Sequence, residues 1–362
     1  MRRSDPLIIG GGPAGSAAAI MLARGGASPL ILERDRETGD AICGGFLSWR
    51  TLETLARLGI ADPGGHPVTR LALFAGKRTA TAQLPHRAIG ISRRSLDSQL
   101  LAVAESTGVQ IERGVAAREL GDDGTVRLND GTSRNADSIF LATGKYDLRG
   151  YARPRAEGHD LTLGLRVRLA PHPSLTRLAG SSIELHLFDR GYCGLELQED
   201  GGGNLCMAVR KSRLTEAGGD TQALLAQLAC EHPALGERIA FASDGPVDAI
   251  SAVPYGWRTD ETRSGLFRLG DQAAVIPSLA GEGNGMALAS GIMAARFWAD
   301  GGASAAPAYQ QAFFAASRRP VTLAMRLWRW SERPALAALA TGAVALLPSL
   351  AARLAGQTRI DT

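Results

Sequence analysis

The chain has 362 residues, of which 45% are apolar and 21% charged, with a formal net charge of +4. That composition excludes a disordered, collagen-like or disulfide-framed chain, and the length suits two joined domains. The positive balance contains no block of Lys or Arg, which argues against nucleic acid as a partner.

The first predicted elements lie between Leu7 and Arg34. Leu7–Ile9 reads as a buried parallel strand, an Ala-rich helix runs to about Arg24, and a second apolar run ends on Glu33. Between strand and helix, Gly10, Gly12 and Gly15 have the G-x-G-x-x-G spacing, with Pro13 and Ala14 inside it. Gly10 allows a tight turn, Gly12 lets a pyrophosphate reach the backbone, and Gly15 lets helix and strand pack closely. The helix N-terminus offers unpaired N–H groups to the phosphates. Glu33, followed by Arg34, falls where an acid accepts both hydroxyls of an adenosine ribose. A dinucleotide is the predicted ligand; the triplet alone does not choose between NAD and FAD.

Further along, AICGGFLS at 41–48 precedes an amphipathic helix to about Leu58, and 64–85 reads as a short β excursion. A helix is expected within 91–108, then strands at 109–112, 126–128 and 137–142, the last running into Ala142-Thr143-Gly144. From Leu161 to Arg210 the alternation in LTLGLRVRL, SSIELHLF, YCGLELQ and GNLCMAV predicts an antiparallel sheet, followed by a helix near 222–230. Buried strand and Gly-rich loop return at 266–291, and helices finish the chain. The run Pro334–Ala352 carries no charge but is broken by Gly342 and Pro348. A packed helix pair over the substrate domain is expected there, with peripheral membrane contact as the alternative.

Cys43, Cys193, Cys206 and Cys230 form no C-x-x-C pair and no His has metal-ligand spacing, so no metal is predicted. The first strand starts within six residues of Met1, which together with the cysteine pattern predicts a cytoplasmic protein.

Four separated pieces jointly resemble one superfamily. They are the Gly10/Gly12/Gly15…Glu33 fingerprint, Arg93 in SRRSLD, ATG at 142–144, and LFRLGDQAAVIPSLAGEGNGMALASG at 266–291. Together they resemble the FAD-dependent oxidoreductases that include hydroxylases of the p-hydroxybenzoate hydroxylase type, geranylgeranyl reductases and flavin-dependent halogenases. The resemblance implies FAD as cofactor. It places Gly270 and Asp271 at the ribityl chain, Pro277 in a turn, and Gly281, Gly283, Asn284 and Gly285 against the isoalloxazine ring, at the start of a helix aimed at it. Asp271 as a mere helix cap is the competing reading. Cys43-Gly44-Gly45 resembles the C-x-G-G loop of geranylgeranyl reductases; Cys43 is a catalytic candidate beside the ring, or a small buried hydrophobe. The halogenase W-x-W-x-I-P signature is missing.

Where NADPH-using hydroxylases of this group carry an Asp-Gly motif, ATGKYDLRG stands instead, which predicts slow reduction by NADPH or NADH without a partner or substrate. A separate reductase is the other electron source. The expected fold is α/β: a discontinuous Rossmann-type FAD-binding domain (1–65, 86–155, 258–305), an antiparallel-sheet substrate domain (66–85, 156–257) and a C-terminal helical segment (306–362). The expected activity is hydroxylation of a lipophilic aromatic or polyketide-like molecule, as in secondary metabolism. Reduction of a C=C bond in an isoprenoid or lipid comes second, and a non-catalytic redox sensor using Cys43 is the alternative from another class.

Overall fold

A computed structural model describes residues 5–154, 158 and 160–360. Five parallel strands form one sheet in the order Leu266–Arg268, Ile139–Leu141, Leu7–Ile9, Leu30–Glu33 and Gln110–Arg113. Leu7 stands opposite both Ile139 and Leu30 in register. The three inner strands are buried on both faces, as their unbroken apolar runs require. Ile8, Ile31, Phe140 and Phe267 face the helices, with Phe140 and Phe267 stacked at 4.6 Å. Ile9, Leu32 and Leu141 face a small three-stranded sheet through Leu120, Val126 and Leu128.

The helix Pro13–Arg24 rises from the first strand and lies along the helix Gly283–Gly301. Their approach is close because both surfaces are small: a Cβ on Gly291 would sit 2.2 Å from Ala14 O. Gly291, midway along its helix, is thus pressed against the first turn of the other, at Ala14.

The second sheet has eight strands in the order Asp248–Ile250, Thr162–Leu169, Gly203–Arg210, Gly191–Leu197, Ser182–Phe188, His66–Ala75, Arg78–Gly90 and Phe46–Leu47. The expectation of a purely antiparallel sheet needs one correction: Ser182–Phe188 runs parallel to His66–Ala75. Parallel neighbours need a long crossover, and here the chain passes through the nucleotide-binding half, from Arg93–Ser106 to Ile139–Leu141, before it returns. The 64–85 excursion is a full hairpin whose second strand continues to Gly90, so the expected boundary at 85/86 falls inside a strand. Hydrogen-bonded pairing with Phe46–Leu47 carries it that far. The expected boundary at 155/156 lies outside the described residues.

Alternation divides this sheet cleanly. Cys193, Leu195, Leu197, Leu205, Met207 and Val209 pack on the helices Thr221–Glu231 and Pro233–Ile239. The intervening residues face the parallel sheet across a cavity. The long helix Ala306–Ser331 leads to Pro334–Leu346 and Ser349–Gln357, which meet at 114°. Val344 and Ala351 of this pair pack on Leu73, Ala80 and Ala82, so the helices roof the hairpin as the uncharged run predicts.

Candidate functional site

The cavity has a volume of about 1080 Å³. Single small-molecule sites span roughly 300–1,000 Å³, so there is room for a cofactor and a substrate together. It begins at the C-terminal ends of the parallel strands, where open α/β sheets bind ligands. It continues over the loop at 39–46 and ends beneath the two terminal helices.

At the first end, the glycine turn is stereochemically exacting. Gly10 has φ +105°, and a Cβ there would lie 2.5 Å from Ala142 O; one on Gly15 would lie 2.0 Å from Gly10 O. Gly12 is the N-cap with no side-chain cap, Pro13 and Ala14 follow it, and the helix N–H groups open onto the cavity. Gly11 N donates to Glu33 Oε2 at 2.7 Å, while Glu33 Oε1 accepts from Asp35 N at 3.0 Å. Glu33 therefore braces the glycine turn as well as bordering the cavity, a tie that linear spacing does not reveal. The Arg34 guanidinium lies 3.7 Å from the Tyr146 ring centroid.

Arg93 comes from another segment to the same place. Its Nη2 would lie 3.3 Å from a Cβ on Gly12, and it holds Asp97 by two bonds of 2.9 and 2.7 Å. Its backbone N donates to Asp40 Oδ1 at 3.1 Å, fixing the start of the 40–45 loop. Ala142, Thr143 and Gly144 cross beside the turn; a Cβ on Gly144 would meet open space. Thr143 Oγ1 donates to Tyr146 O at 2.5 Å, and Gln272 Nε2 donates to Gly144 O at 2.9 Å.

The Gly270 N–H donates to Ser290 Oγ at 2.8 Å, which turns the chain so that Asp271 borders the cavity. Its carboxylate caps no helix and has no partner among the described residues. An acceptor left free on a cavity wall fits a bound hydroxyl better than it fits a cap. The helix Gly283–Gly301 also starts without a side-chain cap, and a Cβ on Gly44 or Gly283 would reach only open space. Uncapped helix ends, a free carboxylate and bare backbone around one large space suit a dinucleotide with a flat ring system.

One expected ring contact is displaced, and one turn residue stands off the cavity wall. Gly285 does not border the cavity: its missing side chain makes room for Glu282 Oε1 and Thr51 Oγ1, which a Cβ would meet at 2.5 and 2.9 Å. Pro277 also stands behind the wall, its turn presenting Ser278 instead. Gly281, with φ +60°, packs on Phe46. Glu282 is buried and paired with Arg359, and accepts from Ser48 Oγ at 3.3 Å and Ile360 N at 3.4 Å, so it orders the loop. His186 stacks on Phe74 at 4.3 Å and bonds Glu184 at 3.0 Å, and His86 tilts against Trp49.

Cys43 borders the cavity, its Sγ accepting from Gly45 N and Asn284 Nδ2, both at 3.5 Å. Around it the second sheet contributes residues that sequence reading passed over. Arg166, buried in a strand, donates to Asp40 O at 2.6 Å, Ala41 O at 2.9 Å and Asp248 Oδ2 at 2.7 Å, and so pins the loop. Lys145, expected as a solvated charge, donates to Ile42 O. Asn204 Nδ2 donates both to Cys43 O at 3.0 Å and to Glu196 Oε1 at 2.7 Å. The Cys206 thiol, pushed up by burial, donates to Cys43 O at 3.0 Å.

Glu196 is the unusual group. It is 1% exposed, borders the cavity and has no cationic partner among the described residues. Burial pushes its carboxyl well above the usual range, against the smaller opposing pull of Asn204, which favours the protonated form. Polar groups at alternating positions of an otherwise apolar strand were the available signal: Glu196 lies among Leu195 and Leu197, and Arg166 between Leu165 and Val167.

From Glu196 outward the wall turns apolar: Ile183, Leu185 and Leu73 on the sheet, then Ala340, Val344 and Leu354 on the roof. Polar groups interrupt it at Ser331, Thr358 and Arg359 and at a hydroxyl cluster. Ser278 Oγ lies 2.5 Å from Tyr192 OH and 2.7 Å from Tyr255 OH, and burial pushes both phenols up, keeping them protonated.

Comparison with known proteins gives this geometry its context. Residues 3–137 match the family described as "FAD binding domain". The menaquinone reductase of Mycolicibacterium smegmatis is 26% identical over 99% of this chain and 93% of its own length. That of Mycobacterium tuberculosis is 29% identical, but the match spans only 46% of this chain and 43% of the relative. Digeranylgeranylglycerophospholipid reductase 2 of Methanopyrus kandleri is 24% identical over 80% of this chain and 75% of the relative. Among solved structures, the flavin-dependent brominase Bmp2 superposes with a TM-score of 0.80 at 18% identity, covering 99% of this chain and 94% of that one; at that identity the likeness is one of fold.

Proposed function

We infer that this chain, which carries an FAD binding domain and belongs with the FAD-dependent oxidoreductases, reduces a carbon–carbon double bond in a long-chain isoprenoid or lipid-like molecule. The observation that carries the reading is the junction in the cavity. A buried carboxyl without a cationic partner among the described residues, Glu196, borders a cavity that has a nucleotide cradle at one end and an apolar channel at the other, and its burial favours the protonated form. Reductase names on relatives aligned over most of the chain also support it.

In this reading Gly10, Gly12, Glu33 and Arg93 hold the adenosine diphosphate portion, Asp271 accepts from a ribityl hydroxyl, and the loop Cys43–Gly45 with Gly283 and Asn284 lies along the ring. FAD bound there and reduced would supply a hydride. Glu196 supplies the proton to the other alkene carbon, so that one hydride and one proton convert C=C to CH–CH; solvent then reprotonates the carboxylate. Asn204 orients the acid through Oε1. Arg166 and Lys145 keep the Asp40–Cys43 backbone in place, and the apolar half of the cavity excludes water.

Hydroxylation of an aromatic is the second reading, favoured by the Tyr192–Ser278–Tyr255 hydroxyl cluster, which suits a phenol. The two separate cleanly in one experiment. Flavin is reduced anaerobically, then mixed with a prenylated quinone or polyprenyl lipid in detergent, and the product is weighed by mass spectrometry. The expected product gains two hydrogens without O₂. Reoxidation that waits for O₂, with labelled oxygen appearing in product, overturns the reductase reading.

Glu196→Gln sharpens the test. Its alkene-dependent reoxidation should slow by roughly 100-fold, the usual scale of general acid catalysis. The sign in pH follows from the raised pKa: parent activity is present while Glu196 is protonated and falls as pH rises through that pKa. The alkaline limb assigned to this acid disappears in the variant.

A further inference from the structure

The two terminal helices are apolar on both faces. Their inner residues Ala337, Val344 and Ala351 pack on the second sheet. Their outer residues find no such partner: Leu346 is 83% exposed, Leu347 and Leu339 64% each, and Trp330 on the preceding helix 53%. Leu350 adds to the same group, and the 114° bend brings Leu346, Leu347 and Leu350 to its apex. Scattered exposed leucines are ordinary, but a set gathered on one element is a docking surface.

The rim decides what docks. Arg326, Arg329, Arg333 and Arg353 flank the apolar face and are exposed. Between residues 318 and 360 the chain has seven Arg and one acid, Glu332, and that acid is held by Arg210 at 2.7 Å. An apolar apex inside a cationic rim complements an anionic interface with hydrocarbon beneath it. No single helix among the described residues is long and apolar enough to cross a membrane. The same helices line the deep end of the cavity through Ala340, Val344 and Leu354, so the exposed face and the apolar channel are two sides of one element.

We propose that the outer face of the helices Pro334–Leu346 and Ser349–Gln357 seats on an anionic lipid bilayer. The apex leucines enter the headgroup–acyl boundary while Arg329, Arg333 and Arg353 meet lipid phosphates. A lipophilic molecule dissolved in that bilayer then reaches the cavity without crossing water; this last step rests on the proposed substrate class, whereas the docking does not.

The test measures binding, not turnover, so it stands apart from the reaction. Full-length protein with FAD bound is floated with phosphatidylcholine vesicles, with and without phosphatidylglycerol, at low and high salt. The parent should float with anionic vesicles, and roughly tenfold less at high salt or with neutral vesicles, as screening of several Arg charges requires. Leu346→Glu/Leu347→Glu, which touches neither cavity wall, should lose vesicle binding by a similar factor while its FAD content and melting temperature match the parent's. A second variant, Arg329→Gln/Arg353→Gln, should lose the preference for anionic lipid. Flotation indifferent to lipid charge, or unaffected by the glutamates, overturns the proposal. So does light scattering that shows an oligomer which the glutamates dissociate, since the face would then belong to a second copy.

Discussion

The glycine turn at one end of the cavity and the helical roof at the other enclose the same space under opposite constraints. At the turn, backbone meets backbone: added Cβ atoms would lie 2.5 Å from Ala142 O at Gly10, 2.0 Å from Gly10 O at Gly15, and 2.2 Å from Ala14 O at Gly291. At the roof, Val344 and Ala351 meet the side chains of Leu73, Ala80 and Ala82, which can shift by rotation. A charged dinucleotide is held by N–H groups and dipoles at fixed points, so its site cannot yield. An apolar chain is held by the area it hides, so its site need only have the right volume.

Three substitutions probe that difference, and Gly15→Ala should have the largest effect. Its methyl has no free direction, so the variant is expected to lose about 3 kcal/mol of stability or more and to purify without FAD. Absorbance of the flavin and a thermal melt measure both; a yellow variant with the parent's melting temperature would show that the turn does yield. Asp271→Ala comes next. Removing a charged acceptor from a buried ligand should weaken FAD by ~1.5–3 kcal/mol, or about one to two decades in Kd, with little change in the apoprotein's melt. Unchanged affinity in a titration would leave Asp271 without a role in holding the cofactor. The smallest effect is expected at the roof: Val344→Ala should cost about 1 kcal/mol of stability, weaken an apolar substrate slightly and leave FAD affinity alone. If Val344→Ala instead releases FAD, the two ends of the cavity are coupled and the contrast between them fails.

The parts of the site legible in the chain were those made by local backbone. Gly10, Gly12 and Gly15 sit within one strand–turn–helix unit, and Glu33 ends the next strand, so spacing alone predicts their meeting. Asp271 follows a buried strand by the same logic. Gly285, expected as bare backbone for the ring, lies off the cavity because Glu282 and Thr51 claim the space beside it, and Pro277 lies in its turn behind the wall. Arg166, Asn204 and Glu196 gave no motif, since each is a single polar residue in an apolar strand; Glu196 and Asn204 meet only because their strands pair in that register, and Arg166 finds Asp40 and Asp248 from distant segments.

The amino-acid sequence by itself determined the nucleotide-binding turn, the parallel strands around it, the alternation of the second sheet and the uncharged terminal helices, because each depends on interactions among residues close in the chain. Tertiary structure alone decided that Ser182–Phe188 would lie parallel to His66–Ala75, that Arg93 and Asp40 would meet beside the glycine turn, and that Asn204 would join Cys43 to Glu196. The hydrogen bonds of Arg93 to Asp40 and of Asn204 to Cys43 bridge 53 and 161 positions. Whether Glu196 carries a proton is set by the burial that such packing imposes, a property of its surroundings that no stretch of sequence contains.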